Sequence, residues 1–298
     1  MSDAISFGGH TARLTAHTAR LSGTYRRNRR AALAECFTWN IGRAEIDIHS
    51  LDGPDYIVSH DRRLEDETTG GGPLGKATPD EVRACRFIDD PSDGPALLSE
   101  VVNMAAGSAT GIQLDLKDWR PMSDERIRAL LDVVEPIHDR VIISTGQDWN
   151  LRRVHRADPT LALGFDPGHY FDAHGGSERF LLPAALGAYG YRDNHPLALG
   201  RTESTVDYLD ERMEMLALQC PAPREFFLNH EVILQMLDDG FDVVGWLHER
   251  EIDVTAWTPD YVDASSVGVA ERLLTAGVDR ITTNTIPTWV AAFATSAK

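Results

Sequence analysis

Two short stretches carry most of the chemistry open to this chain. Glu45-Ile-Asp-Ile-His49 and Gln113-Leu-Asp-Leu-Lys117 alternate polar and apolar residues, the period of a strand with one polar face. The alternation places Glu45, Asp47 and His49 together on one face, and Gln113, Asp115 and Lys117 on another. Carboxylates turned into the interior of a fold are costly unless something cationic joins them. Acidic oxygens with no thiolate nearby suit a hard divalent cation, Mg²⁺ or Ca²⁺, with coordination positions left for substrate oxygens. A salt bridge from Glu45 or Asp47 to Lys117 in a packed interior is the plainer alternative.

Imidazoles stand close by in sequence. The segment Tyr56-Ile-Val-Ser-His-Asp61 delivers His60 from the turn after the first of these stretches. Upstream, HTARLTAHTARL (10–21) repeats HTARL at a seven-residue offset and offers both His10 and His17. One heptad repeat is too short for a coiled coil, so the question is which histidine a strand end would present. Two imidazoles titrating near neutral pH are suited to general acid–base work. Asn229 and His230 end a further apolar run and could touch a substrate.

Something must position these groups. Apolar, β-branched runs occur at Leu14–Ala19, Ala44–His49, Gly111–Lys117, Arg140–Thr145, Thr160–Phe165, Glu225–His230, Asp253–Thr258 and Arg280–Asn284, as in buried strands. Helical spacing of apolar residues marks Arg30–Trp39, Ala96–Ala106, Ser123–Pro136, Asp148–Arg156, Val206–Leu218, Val232–Glu249 and Val267–Ala276. Ser123 is placed to cap its helix without a capping box, and Gly277 to end the last one. Eight strands alternating with helices in 298 residues predict an α/β fold, a (β/α)8 TIM barrel forming one domain over residues 1–298. A doubly wound sheet would carry a glycine-rich phosphate loop after its first strand, and Gly23 alone does not make one. Chemistry in such a barrel gathers at the C-terminal ends of the strands, where these polar residues fall. The irregular segment Asp166–Thr205, with His169, His174 and His195, predicts a short helix and a long loop over one barrel face.

The order and spacing of these motifs resemble the glycerophosphodiester phosphodiesterase family from about Leu14 to Pro287. Where the family has a strand ending in His-Arg-Gly, a Glu-Asn-Thr cap, a Glu-x-Asp strand and a His-Asp, this chain reads AHTAR, RRNRRAAL, AEIDI and VSHD. LEDETTGGGPLGKATPDEVRAC is similar to its Thr-Thr-Gly loop and following helix, QLDLK to its Glu-x-Lys strand, and DVTAWTPD and GVDRITTNTIP to its late strands. The alignment selects His17 over His10. The resemblance implies a metal held by Glu45, Asp47 and Asp115, His17 and His60 as the general acid–base pair, Lys117 neutralising the phosphate, and Trp257 lining the pocket. It implies hydrolysis of a glycerophosphodiester or a related small or lipid-derived phosphodiester. Three positions depart from the family: Thr18 follows the first histidine, with Arg20 left as the phosphate clamp; Arg27 precedes Asn28; and Asn284 stands where an aspartate is usual. DLK with WTPD also resembles the related sphingomyelinase D and phospholipase D toxins, which release a cyclic phosphate. A specialised, non-catalytic ligand-binding barrel is the third alternative.

Composition bounds the partners. A formal net charge of −17 repels nucleic acid and anionic membrane surfaces. Cys36, Cys85 and Cys220 are few, odd in number and widely spaced, so buried free thiols are expected rather than a disulfide framework. No run is long enough to span a bilayer, and the N-terminus has no basic start or apolar core of a secretory signal. A cytoplasmic location is the expectation, although a processed exported chain would read the same. The other tryptophans, Trp119, Trp149, Trp246 and Trp289, are expected to pack rather than recognise.

Overall fold

The computed structural model describes residues 3–173, 185–199 and 202–296. Eight parallel strands form a closed barrel: His10–Ala16, Arg43–Ser50, Gly111–Leu116, Val141–Thr145, Ala162–Phe165, Glu225–Asn229, Asp253–Trp257 and Arg280–Thr283. Each pairs with its neighbour in chain order, and the last strand closes the ring on the first through Arg280–Arg13 to Thr283–Ala16. The outward residues, among them Ile46, Ile48, Leu114 and Ile143, are wholly buried against the helices. The inward ones are mostly polar and fill the interior in layers, as a barrel of this size requires.

Two interior contacts show how tightly that space is filled. Gly164 faces the Phe227 ring, and a Cβ there would lie 2.2 Å from it, so the fifth strand can pass only as glycine. Arg43 donates to both carboxylate oxygens of Glu225 at 2.8 Å. Its partner lies four strands away, across the barrel, so the pair spans the interior near the strand starts.

The first strand begins earlier and ends earlier than its composition suggests. It starts at His10 and pairs with Ala4–Phe7 in a hairpin, with Gly8 and Gly9 at φ +58° and +87° in the turn, a conformation that favours glycine. It ends at Ala16 because Thr18 and Ala19 adopt φ of 51° and 59°. His10 therefore stands at the opposite end of the barrel from His17, roughly 20 Å away at about 3.3 Å of rise per residue.

Elsewhere the expected elements stand within a residue or three, with four differences. Val232–Glu249 divides into His230–Asp238 and Val243–His248, because Gly240 turns the chain at φ +88°. Tyr56–Val58 is a short strand antiparallel to Arg43–Ser50 rather than a turn. Within Asp166–Thr205, the described residues include a small sheet of Phe171–Asp172, Ala185–Leu186 and Arg192–Asp193; His174 lies outside the described residues. Ile286–Ser296 is an additional helix, seated by the fully buried Trp289. Ser123 caps its helix by accepting from Arg126 N at 3.3 Å, Gly277 follows the last-but-one helix at φ +89°, and all three cysteines are buried and free. No helix among the described residues is long and apolar enough to cross a membrane.

Candidate active site

Strand register brings the acids together. Asp47 sits directly beside Asp115 on adjacent strands, two residue pairs beyond Glu45 and Gln113. Glu45, Asp47 and Asp115 each present an oxygen within 4.8 Å of the others. Glu45 and Asp47 are buried, and Asp115 reaches the open mouth.

Lys117 enters this cluster two residues past Asp115. Its Nζ lies 2.9 Å from Asp47 Oδ1 and contacts Asp115 Oδ2 more closely. Burial disfavours its charge, but Asp115, Asp47 and Glu45 together hold it well above the ordinary lysine range. The expected ion pair therefore forms, yet one ammonium faces three carboxylates. Glu45 carries the deficit: burial, then Asp47 and Asp115, push its carboxyl well above the usual range. Asp47 is held down instead, to about 2, because Lys117 and His60 outweigh its burial. Asn28 Nδ2 donates to Asp47 Oδ2 at 2.9 Å, and Thr18 N to Glu45 Oε2 at 2.5 Å. A buried, oxygen-only cluster with a residual negative charge fits a divalent cation.

His17 follows the first strand and starts the turn that crosses Glu45. Its Nδ1 lies 3.0 Å from Asn284 Oδ1, and its Nε2 4.0 Å from Glu45 Oε2. Asn284 is itself oriented: its Nδ2 donates to Asp260 Oδ2 at 2.8 Å and its N–H to Asp260 Oδ1 at 2.7 Å. With the amide nitrogen committed to Asp260, the amide oxygen must face the imidazole, so His17 carries its proton on Nδ1 and a lone pair on Nε2. Burial lowers the His17 pKa, favouring that neutral form.

His60 leaves the short strand Tyr56–Val58 and is half exposed. Its Nδ1 meets Asp61 Oδ1 at 3.1 Å, Asp61 accepts from Arg27 at 2.9 Å, and Arg27 also donates to Glu67 at 2.9 Å. Arg27, where the resembled family has glutamate, thus anchors the carboxylate behind His60. His49 is buried with its Nε2 directed at the His60 carbonyl at 3.4 Å, supporting the His60 backbone rather than joining the acids.

The remaining expected residues sit around the mouth. Arg20 N donates to the His17 carbonyl at 2.9 Å, and its Nε is enclosed with no hydrogen-bond partner among the described residues. Trp257 ends the seventh strand, and its Nε1 is likewise enclosed and unpartnered. It lines a small hollow with Asp166, Phe171, Asp172 and Asn229. His230 begins a helix and points Nδ1 at the Trp257 carbonyl at 3.2 Å, and Asn229 caps that helix through Glu231 N at 2.9 Å. His230 thus holds the Trp257 backbone. Trp119, expected to pack, is 47% exposed and stacks under Arg62 at 4.1 Å.

Two site residues escaped the residue-level reading. Asp260 was visible only inside the WTPD motif. Asp166 follows the fifth strand, where burial pushes its carboxyl up to about 7 with Asp115 adding to the effect; a single aspartate before Pro-Gly carries no signal of its own.

No protein-family model and no curated protein matches the chain. Solved structures do match it along its length. A glycerophosphodiester phosphodiesterase of Parabacteroides distasonis superposes with a TM-score of 0.65 at 15% identity, covering 96% of this chain and 98% of that one. An Oleispira antarctica phosphodiesterase, in complex with the product sn-glycerol-3-phosphate, gives 0.62 at 16% identity over 94% and 96%. A Thermotoga maritima glycerophosphodiester phosphodiesterase gives 0.59 at 14% identity over 93% and 96%. The fold is that of the glycerophosphodiester phosphodiesterases. In this barrel Asp47, Asp115, Lys117, His17 and His60 stand towards the C-terminal ends of the strands or just beyond them, with Glu45 one layer deeper.

Proposed function

We propose that the chain is a metal-dependent phosphodiesterase that hydrolyses a glycerophosphodiester or a related small or lipid-derived phosphodiester. The carrying observation is the convergence of Glu45, Asp47 and Asp115 within 4.8 Å at the mouth of a barrel whose structural neighbours are phosphodiesterases. The substrate class comes from those neighbours, one of which holds sn-glycerol-3-phosphate.

Glu45, Asp47 and Asp115 would hold Mg²⁺ or Ca²⁺, which when bound screens the negative phosphoryl oxygens and stabilises charge as it develops. Lys117 and Arg20 add fixed positive charge for the phosphate. His17 takes the base role, because Asn284 keeps the proton on Nδ1 and leaves Nε2 free. It removes the proton of the attacking water as oxygen bonds to phosphorus. His60, oriented by Asp61, takes the acid role and gives a proton to the departing alkoxide as the phosphorus–oxygen bond breaks. The products are a phosphomonoester and a free alcohol. Trp257 lines the pocket for that alcohol, with His230 positioning it.

Turnover of glycerophosphocholine, glycerophosphoethanolamine and bis(p-nitrophenyl) phosphate, measured after chelation and after Mg²⁺ or Ca²⁺ is restored, tests this reading. Metal-dependent hydrolysis is expected, lost by about a thousand-fold in His17→Ala and in His60→Ala. No metal-dependent turnover of any diester would sink it. Phosphorus NMR of the product decides the chemical outcome: a linear monoester supports hydrolysis, and a cyclic phosphate replaces it with internal attack by a substrate hydroxyl.

A further inference from the structure

The opposite mouth of the barrel is also open. A cavity of about 580 Å³ lies among the strand starts, lined by Arg13, Arg43, Arg224 and Arg280 against Glu225, Asp253 and Asp279. The acids there are already committed. Glu225 takes both bonds from Arg43 and a third from Thr255 Oγ1. Asp279 accepts from Val254 N at 2.7 Å and from His248 at 2.8 Å. Asp253 lies 3.5 Å from Arg224. Asp3, from the N-terminal hairpin, turns its carboxylate to the Gly42 N–H at 2.5 Å.

Two cations are left over. Neither Arg13 nor Arg280 makes an ion pair or a side-chain hydrogen bond among the described residues, and Arg280 Nη1 is enclosed without a partner. They are direct register partners on adjacent strands, so their side chains leave the barrel floor side by side, about 4.8 Å apart at the backbone. Like charges placed directly opposite each other destabilise a sheet. Burial and the nearby Arg43 and Arg13, only partly offset by Glu225 and Asp3, push the Arg280 pKa down to about 10. The lining sets four arginines against three carboxylates, and an anion seated between Arg13 and Arg280 would give both unpaired guanidinium groups the partner that no carboxylate supplies.

We propose that this N-terminal mouth is a second binding site, separate from the catalytic end, where Arg13 and Arg280 clamp one small dianionic phosphoryl group. Planar guanidinium forks match the oxygens of such a group in paired hydrogen bonds. The group could belong to free phosphate or to a phosphomonoester, and both present the same oxygens.

Calorimetric titration at constant ionic strength, with chloride as the reference salt, tests the site. Inorganic phosphate and glycerol phosphate are titrated separately into the full chain carrying Lys117→Met, which weakens phosphate binding at the catalytic mouth. One equivalent is expected to bind. Equal affinity for both ligands would show recognition of the phosphoryl group alone, and preference for the ester would show that the cavity also reads the alcohol. Arg13→Gln, at an exposed position, and Arg280→Gln should each weaken binding about ten-fold, and Arg280→Lys should weaken it less. Phosphodiester turnover in the otherwise unaltered chain should survive Arg13→Gln, so the two readings fail independently. Absence of binding in the Lys117→Met chain, or undiminished binding in Arg13→Gln and Arg280→Gln together, would overturn the site.

Discussion

Asn284 illustrates how one atom can set a catalytic role. An aspartate in its place would accept from His17 Nδ1 equally well, but it would add a negative charge beside the ring. The amide accepts the same hydrogen bond without that charge, and burial leaves the imidazole neutral. A carboxylate would favour the imidazolium and raise the His17 pKa. Asn284→Asp is therefore expected to move the acid limb of the kcat/KM–pH profile upward, because His17 must lose its proton before it can act as a base. Asn284→Ala should lower kcat by about ten- to a hundred-fold while leaving KM nearly unchanged. An unaltered profile in Asn284→Asp would place His17 outside the proton transfer.

At the scale of elements, the strands act as rulers and the loops as hands. The pairing of Arg43–Ser50 with Gly111–Leu116 alone puts Asp47 beside Asp115, and a one-residue slip of either strand would turn its aspartate into the helical shell. The loop after His60 has no such ladder. It is seated by a small apolar cluster of Leu51, Ile57, Leu64, Leu74 and Val82 among others. Val82 belongs to the short helix Pro79–Ala84, closed by a capping box in which Thr78 Oγ1 accepts from Glu81 N at 3.3 Å and Glu81 accepts from Thr78 N at 2.7 Å. Thr78→Ala is expected to cost about 1 kcal/mol of stability, read from the midpoint of urea unfolding. An unchanged midpoint would mean the cap does not hold this excursion in place.

For the whole molecule, charge and stability are coupled through the same mouth. Burial raises the carboxyls of Asp166, to about 7, and of Glu45, so the native chain keeps protons that the unfolded chain gives up near pH 4. Through these two groups the native state binds more protons than the unfolded state between about pH 4 and 7, so their contribution to stability falls as pH rises through that window. Asp166→Asn should flatten this limb and stabilise the metal-free protein at pH 8 by about 1–2 kcal/mol. Thermal unfolding across that range checks it; a limb that Asp166→Asn leaves as steep as before would contradict it. The chain's net charge of −17 adds self-repulsion on the same side of neutrality.

Much of this was legible in the chain itself, and the physical reason is periodicity. Alternation along Glu45–His49 and Gln113–Lys117 specifies which residues share a face, because a strand has a period of two whatever surrounds it. The same logic marked the other barrel strands to within a few residues, and the turn-forming glycine at 277 closed a helix as expected. Tertiary structure alone decided the rest. Only strand pairing could show that Lys117 enters the acid cluster without neutralising it, because residues 45, 47 and 115 meet through register rather than sequence. The Asn284–Asp260 support of His17 joins opposite ends of the chain across the barrel seam. Arg13 and Arg280 look like ordinary basic residues until closure places them side by side with every nearby carboxylate engaged elsewhere. Local spacing determines which way a side chain faces; closure of the barrel determines what it meets.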